Sequence, residues 1–205
     1  GQETELNGAG PDIPESAMQA LEEKLDRLQK GDILILAGSI PASLAQTTYE
    51  RILARLEGRD IRAVVDATRD LLVNVLRYKP FLIKPNNHEL SEIAGVKLTN
   101  DNEIVTAARM MQAKGARNVL VSMAGDGALL LDEQGGVHRI GCPKGKVVNS
   151  VGAGDSMVAG FVAGYQQSGG DYAAALKLGT ACGSATAFSL GLATKADIDK
   201  LLKTM

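Results

Sequence analysis

Short apolar runs alternate along this chain with stretches of helical periodicity. Apolar residues at Met18, Leu21, Leu25 and Leu28 recur at helical spacing and stop at Lys30-Gly31, which predicts a first helix. The unbroken apolar run over 32–37 predicts a buried parallel strand, because a strand covered on both faces loses its in–out alternation. A helix over 44–56 and a strand over 61–65, ended by Asp66, repeat that unit. A short helix over 71–76 leads to a strand over 81–83, halted by Lys84-Pro85-Asn86. Helices over 88–94 and 103–114 then precede a strand over 119–123.

Beyond residue 127 the pattern changes. Segments 128–131 and 137–140, separated by Asp132-Glu133-Gln134-Gly135-Gly136, predict an antiparallel hairpin. A strand over 146–149 is expected to run into a glycine turn, and helices over 152–168, 171–190 and 195–203 close the chain. This alternation argues for one α/β layered domain with a mostly parallel sheet, whose ligands bind at the carboxyl ends of the strands.

Polar or glycine-rich turns follow those strand ends: Gly38-Ser39, Asp66, Lys84-Pro85-Asn86, Ser122-Met123-Ala124-Gly125-Asp126-Gly127 and Gly152-Ala153-Gly154-Asp155. In the last of these, glycines let the backbone turn tightly with its N–H groups outward, and the following helix adds a positive dipole end. Such a turn can hold a phosphoryl group. Asp155 would repel a resting phosphate but makes sense as the base that takes a proton from a nucleophile aimed at it. The competing reading makes Gly152 and Gly154 packing glycines and Asp155 a helix-end charge. A dinucleotide fingerprint needs a third glycine where Met157 stands, which disfavours an NAD-dependent oxidoreductase, and the Gly-Lys-Ser/Thr of a P-loop is absent.

Asn86 and Glu89 share a face at a helix start. They are either a capping box or a hard-oxygen site for Mg²⁺ supported by substrate phosphates, with Lys84 beside them as a point charge for a phosphate. His88 is expected at the surface and His138 inert in its hairpin. Lys144 and Lys146 are expected in solvent, and the small-residue stripe around Ser184, Ala185 and Phe188 as close helix packing.

The chain has 205 residues, 45% of them hydrophobic, and a formal charge of -2, which gives no reason to expect a nucleic-acid or anionic-membrane partner. No apolar run approaches the roughly 20 residues of a membrane span. Cys142 and Cys182 lack paired spacing, so a reduced cytoplasm is expected. The opening Gly1-Gln2-Glu3-Thr4-Glu5-Leu6-Asn7 has no initiating Met and reads like the end of an exposed strand, as in the interior of a longer protein.

Together, Gly38-Ser39-Ile40-Pro41, Val65-Asp66, Lys84-Pro85-Asn86-Asn87-His88-Glu89-Leu90, Val121 through Gly127 and Asn149-Ser150-Val151-Gly152-Ala153-Gly154-Asp155 resemble the ribokinase-like sugar kinases of the phosphofructokinase B family. Pro143-Lys144-Gly145-Lys146 and Gly183 to Ser189 resemble the members that phosphorylate fructose 1-phosphate, with kinases of tagatose 6-phosphate next. The resemblance implies a three-layer α/β/α fold, ATP and Mg²⁺, a phosphosugar substrate, and a homodimeric full-length parent. It implies Asp155 as base, with Gly152, Ala153 and Gly154 supplying the anion hole. It implies Asn86 and Glu89 at the metal and Lys84 near the phosphates. Ser122, Ala124, Gly125, Gly127, Ser150 and Ser184 are implied around the nucleotide, and Ser39 at the phosphate of the sugar.

Family members carry roughly 100 further residues before this start, about the scale of a small domain, with the first strands, sugar contacts and a β lid. Residues 1–205 are therefore expected to be the C-terminal nucleotide-binding and catalytic part of a single ribokinase-like domain. Such a part is expected to bind Mg-nucleotide weakly, to self-associate and to turn over little.

Overall fold

The computed structural model describes residues 10–205, so the strand-like reading of residues 1–7 falls outside the described residues. The elements follow in the order α1 (Glu15–Asp26), β1 (Ile33–Ala37), α2 (Thr48–Arg55), β2 (Arg62–Asp66), α3 (Arg69–Val75), β3 (Leu82–Ile83), α4 (Asn87–Ala94) and α5 (Asp101–Ala113). They continue with β4 (Asn118–Ser122), β5 (Ala128–Leu131), β6 (Val137–Ile140), α6 (Ala153–Gln167), α7 (Tyr172–Ala187) and α8 (Lys195–Leu202). The sheet runs in sequence order from β1 to β6. β1 to β4 are parallel, and the hairpin β5–β6 adds antiparallel to β4.

Side chains alternate across a strand, so each face of this sheet needs its own cover. Val65, Ile83, Val119 and Val121 face a core closed by Ile52 and Leu53 of α2, Leu72 of α3, and Ala108 and Met111 of α5. Val64, Leu82, Leu120 and Leu130 face the other way, onto Phe161 of α6 and Ala175 and Leu176 of α7. Two apolar layers on one sheet make the three-layer α/β/α architecture. They also explain the unbroken apolar runs: Val64, Val65, Leu82, Ile83 and Leu120 are all fully buried. Among the described residues β1 is an edge strand, and its Ile35 is 42% exposed.

α6 and α7 pack unusually close because glycines meet backbone. A Cβ on Gly160 would lie 2.6 Å from Cys182 Sγ, one on Gly179 2.9 Å from the Met157 carbonyl, and one on Gly183 2.9 Å from the Ala153 carbonyl. The small-residue stripe of α7 is helix packing, as the sequence suggests, and it fixes where α6 begins.

The expected strand over 146–149 is not formed. Gly141, Pro143 and Gly145 interrupt the chain after β6, and the amides of Val148 and Asn149 both donate to the Ala187 carbonyl at the end of α7, at 2.8 and 3.2 Å. Val147 and Val148 stay largely exposed. The expected helix over 44–56 starts late, at Thr48, because Pro41 to Ala45 form a separate turn closed by Leu44 N donating to Pro41 O.

At the far end of the sheet, the hairpin turn closes over Asp132, which is 4% exposed. Its carboxylate accepts from the amides of Gln134 and Gly136, both at 2.8 Å, and from His138 Nε2 at 2.8 Å, so His138 has a structural partner. Burial pushes this carboxyl up, but the hydrogen bonds from His138, Gly136 and Gln134 prevail and hold it below its ordinary 3.8. A depressed native value contributes stability above the unfolded value and loses it as pH falls through the native one. Asp132→Asn should therefore cost about 1–3 kcal/mol at pH 7, with the gap to wild type closing in acid. Urea melts at pH 7 and pH 3 check this; an equal gap at both would show that the carboxylate's charge is irrelevant.

Candidate active site

The glycine turn is set by its own backbone. Gly152 sits at φ +79°, the left-handed region that favours glycine, as the N-cap of α6. Asn149 Oδ1 accepts the Val151 amide at 3.0 Å, and the Gly152 carbonyl accepts from Ser156 N at 2.9 Å. The Ala153 amide donates to the Ser150 carbonyl at 3.1 Å. One of the amides expected at the anion hole is thus committed to the chain. Gly152 at the N-cap, and Gly154 and Asp155 in the first turn, have no carbonyl four residues back inside the helix, so their amides are the turn's available donors.

Beneath this turn lies Lys84. β2 and β3 pair in register, Val65 with Ile83, and Lys84 N donates to the Val65 carbonyl. Asp66 and Lys84 consequently leave the sheet side by side at its carboxyl edge. Their side chains meet, Lys84 Nζ to Asp66 Oδ1 at 3.2 Å, with Lys84 only 6% exposed. A Cβ on Gly154 would stand 3.2 Å from Lys84 Nζ and 3.9 Å from Asp66 Oδ2, so the glycine admits both charges to the floor of the turn. Burial pushes the Asp66 carboxyl above its ordinary range, Lys84 pulls it back, and the charges of Asp155 and Glu89 add to the upward push. A cleft of about 310 Å³ opens here, lined by Gly38, Ser39, Asp66, Ala67, Thr68, Gly154 and the exposed Asp155.

Asn86 and Glu89 form a complete capping box at the start of α4. Asn86 Oδ1 accepts the amides of His88 and Glu89, both at 2.9 Å, and Glu89 Oε2 accepts the Asn86 amide at 2.8 Å. The capping reading is therefore correct, and the Glu89 charge nonetheless reaches Asp66. Among the described residues, no cluster of three or more His, Cys, Asp or Glu could by itself cage a metal ion. His88 is exposed, and so are Lys144 and Lys146.

On the nucleotide side, an isolated parallel bridge between Asn86 and Ser122 extends the sheet to the same edge. Ala124 takes a left-handed backbone at φ +46°, and Gly125 is exposed beside it. Gly127 has a local reason to be glycine: a Cβ there would collide with the Ile140 carbonyl. Ser184 is buried on α7, its Oγ 3.7 Å from Cys142 Sγ. Ser150, through its carbonyl, shapes the glycine turn.

Sequence reasoning marked Asp66 as a strand end and placed Thr186 within the motif Gly183 to Ser189, but gave neither a role of its own. The Thr186 hydroxyl meets Ser156 Oγ at 2.9 Å and accepts the Ala193 amide at 3.2 Å, tying the glycine turn to the loop after α7. That loop exposes Leu190 and Leu192, and with Val147, Val148 and Val151 they leave an apolar border near the turn. The Asp66 signal was present in sequence as a lone carboxylate ending a buried strand. The signal for the Thr186 contact was not, since nothing local distinguishes it.

No helix among the described residues is long and apolar enough to cross a membrane. The model of the pfkB family carbohydrate kinases matches residues 1–199. Bacillus subtilis (strain 168) 1-phosphofructokinase is 46% identical over 202 residues, which cover 98% of this chain and 66% of that protein. A D-tagatose-1-phosphate kinase of Bacillus licheniformis is 35% identical over 204 residues, 99% of this chain and 66% of its own length. The phosphofructokinase-2 of Escherichia coli, solved with substrates and products, superposes with a TM-score of 0.89 at 27% identity, over 97% of this chain and 65% of that one. The chain thus spans about 66% of the length of the curated relatives it matches. The motifs at the sheet edge, the ribokinase-like architecture and the match along almost the whole chain agree: it belongs to the pfkB family of carbohydrate kinases.

Proposed function

We propose that this chain carries the nucleotide-binding and catalytic part of an ATP-dependent phosphosugar kinase, converting D-fructose 1-phosphate to fructose 1,6-bisphosphate. The observation that carries the reading is the glycine turn at 152–154, which places Asp155 on the cleft and rests on the Lys84 ammonium. Amides of the first turn of α6 and Lys84 would neutralise charge on the γ-phosphoryl group, and preorganised donors of this kind need no rearrangement as charge develops. Asp155 would accept the proton of the attacking sugar hydroxyl. Its exposure on the cleft suits a base that must reach substrate. Ser39, across the same cleft, would contact the phosphate already on the sugar.

The Glu89 oxygen that the cap does not use fits a Mg²⁺ held through water and by the phosphates rather than caged by protein, with Asn86, whose Oδ1 is committed to two amides, orienting Glu89. The ion, when bound, would supply charge neutralisation across the β- and γ-oxygens. Ser122, Ala124, Gly125, Gly127, Ser150 and Ser184 would border the nucleotide. Cytoplasmic location and a homodimeric parent remain part of the same reading, as does the assignment of residues 1–205 to one part of a single ribokinase-like domain. Support for fructose 1-phosphate comes from the 46% identity to the Bacillus subtilis relative. The alternative sugar is tagatose, and the name of the Bacillus licheniformis relative points to its 1-phosphate rather than its 6-phosphate.

Release of ADP with fructose 1-phosphate, tagatose 1-phosphate, tagatose 6-phosphate and fructose 6-phosphate as acceptors tests the assignment. Fructose 1-phosphate should give the highest kcat/KM, and a preference for tagatose 1-phosphate would move it to the second reading. Asp155→Asn should lower turnover by about 10²–10⁴ with nucleotide affinity kept, because only proton transfer is removed. Unchanged turnover would remove Asp155 from the base role. Glu89→Gln should do two things at once. Gln keeps an oxygen for the Asn86 amide, so the loss of the charge at the helix start should cost only about 0.3–1 kcal/mol in a melt. The Mg²⁺ concentration for half-maximal activity should rise as well, and a variant that only melts earlier would confine Glu89 to the cap.

A further inference from the structure

Among the charged groups at the sheet edge, Asp66 is the one that the reaction above does not use. Lys84 is almost fully buried, and a lysine so placed needs a counter-charge to stay ionised. Three carboxylates stand at this edge, and the charges of Asp155 and Glu89 both push the Asp66 carboxyl up. The ion pair of Lys84 is with Asp66, and parallel pairing of β2 with β3 fixes it by bringing the two residues out of adjacent strands.

We propose that Asp66 is a positioning residue: its carboxylate anchors the Lys84 ammonium against Gly154, under the phosphoryl-binding turn, and so keeps it from pairing with Asp155. The inference rests on the kinase reading for what the turn binds. The lysine stem is flexible, and its ammonium is a compact point charge that goes to whichever anion is nearest. Paired with Asp155, that ammonium would occupy the base and withdraw from the anion hole in the same movement. Asp66 opposes both because it already holds the ammonium at 3.2 Å from a strand end whose place the β2–β3 register fixes. A Cβ on Gly154 would crowd Lys84 Nζ at 3.2 Å, so the glycine leaves the ammonium room to sit under the turn. The rival role for Asp66 is direct contact with the sugar, since it also lines the cleft.

Two measurements separate these roles. The first needs no nucleotide: acetic anhydride labelling of the whole chain, read by mass spectrometry at Lys84. Lys84 should be protected in the wild type and label several-fold faster in Asp66→Asn. The second is titration with a fluorescent ATP analogue in Mg²⁺. Asp66→Asn should weaken binding about tenfold, the order expected for one misplaced charge contact. Lys84→Met should weaken it to a similar extent, and adding Asp66→Asn to Lys84→Met should cost nothing more, because the carboxylate acts only through the lysine. Asp66→Glu keeps the charge and the fold but displaces the ammonium, and should show the same loss should Asp66→Asn fail to fold. Unchanged Lys84 labelling in both variants, or losses that multiply in the double variant, would overturn the inference in favour of direct substrate contact. If the wild type does not respond to Mg-ATP at all, the kinase reading falls, and the labelling alone decides whether Asp66 positions Lys84.

Discussion

Parallel pairing of the first strands is the constraint on which this site depends. Parallel strands begin at one edge of a sheet and end at the other, so every loop that follows one of them is delivered to a single side. β1 ends at Gly38-Ser39, β2 at Asp66, β3 at Lys84 and β4 at Ser122; the register brings the ends of β1, β2 and β3 level, and β4 runs two residues further to bridge Asn86. The ion pair between Asp66 and Lys84 is a direct product of this pairing. Two residues eighteen positions apart in sequence, by their numbering, become neighbours without any loop having to find its place.

The glycine turn reaches the same edge by a different route. No strand leads into it; helix packing positions it instead. α6 is held on α7 by glycines whose added Cβ atoms would strike backbone, and one of those contacts, Gly183 against the Ala153 carbonyl, lies in the first turn of α6 itself. Close packing of this kind has few alternative arrangements, because interiors at crystal-like density do not deform continuously. Ser156 and Thr186 add a hydroxyl pair across the same junction. The turn proposed to bind a phosphoryl group is thus fixed by close helix packing.

These two routes explain what was legible in the sequence. Buried parallel strands announce themselves by unbroken apolar runs, and 33–37, 62–66 and 118–122 were found to within a residue. The hairpin at Ala128–Leu131 and Val137–Ile140 was read without error, since Asp132 to Gly136 is unmistakable turn chemistry. The Val147-Val148 pair misled, because apolar residues without a pairing partner look like a strand until the surrounding Gly141, Pro143 and Gly145 are weighed. Asn86 and Glu89 carried two readings at equal spacing, and only hydrogen-bond geometry showed that the cap is made. The role of Thr186 was invisible because it depends on a contact thirty residues away, by its numbering, with Ser156.

The roles proposed for Asp66 and Asp155 follow from the different environments of two identical side chains. Both border one cleft, and the Asp155 charge pushes the Asp66 carboxyl up. Asp66 is largely buried, with its carboxyl raised by desolvation and restrained by Lys84, so it has a fixed partner and little freedom to take up another. Asp155 stands exposed in the first turn of a fifteen-residue helix. A base must approach substrate, release its proton and be ready again, which suits the exposed position. An anchor must not move, which suits the buried one. When two like groups sit in such different surroundings, their roles are set by the surroundings. Exchanging their work would require exchanging a strand end for a helix start, a change that no single substitution can make.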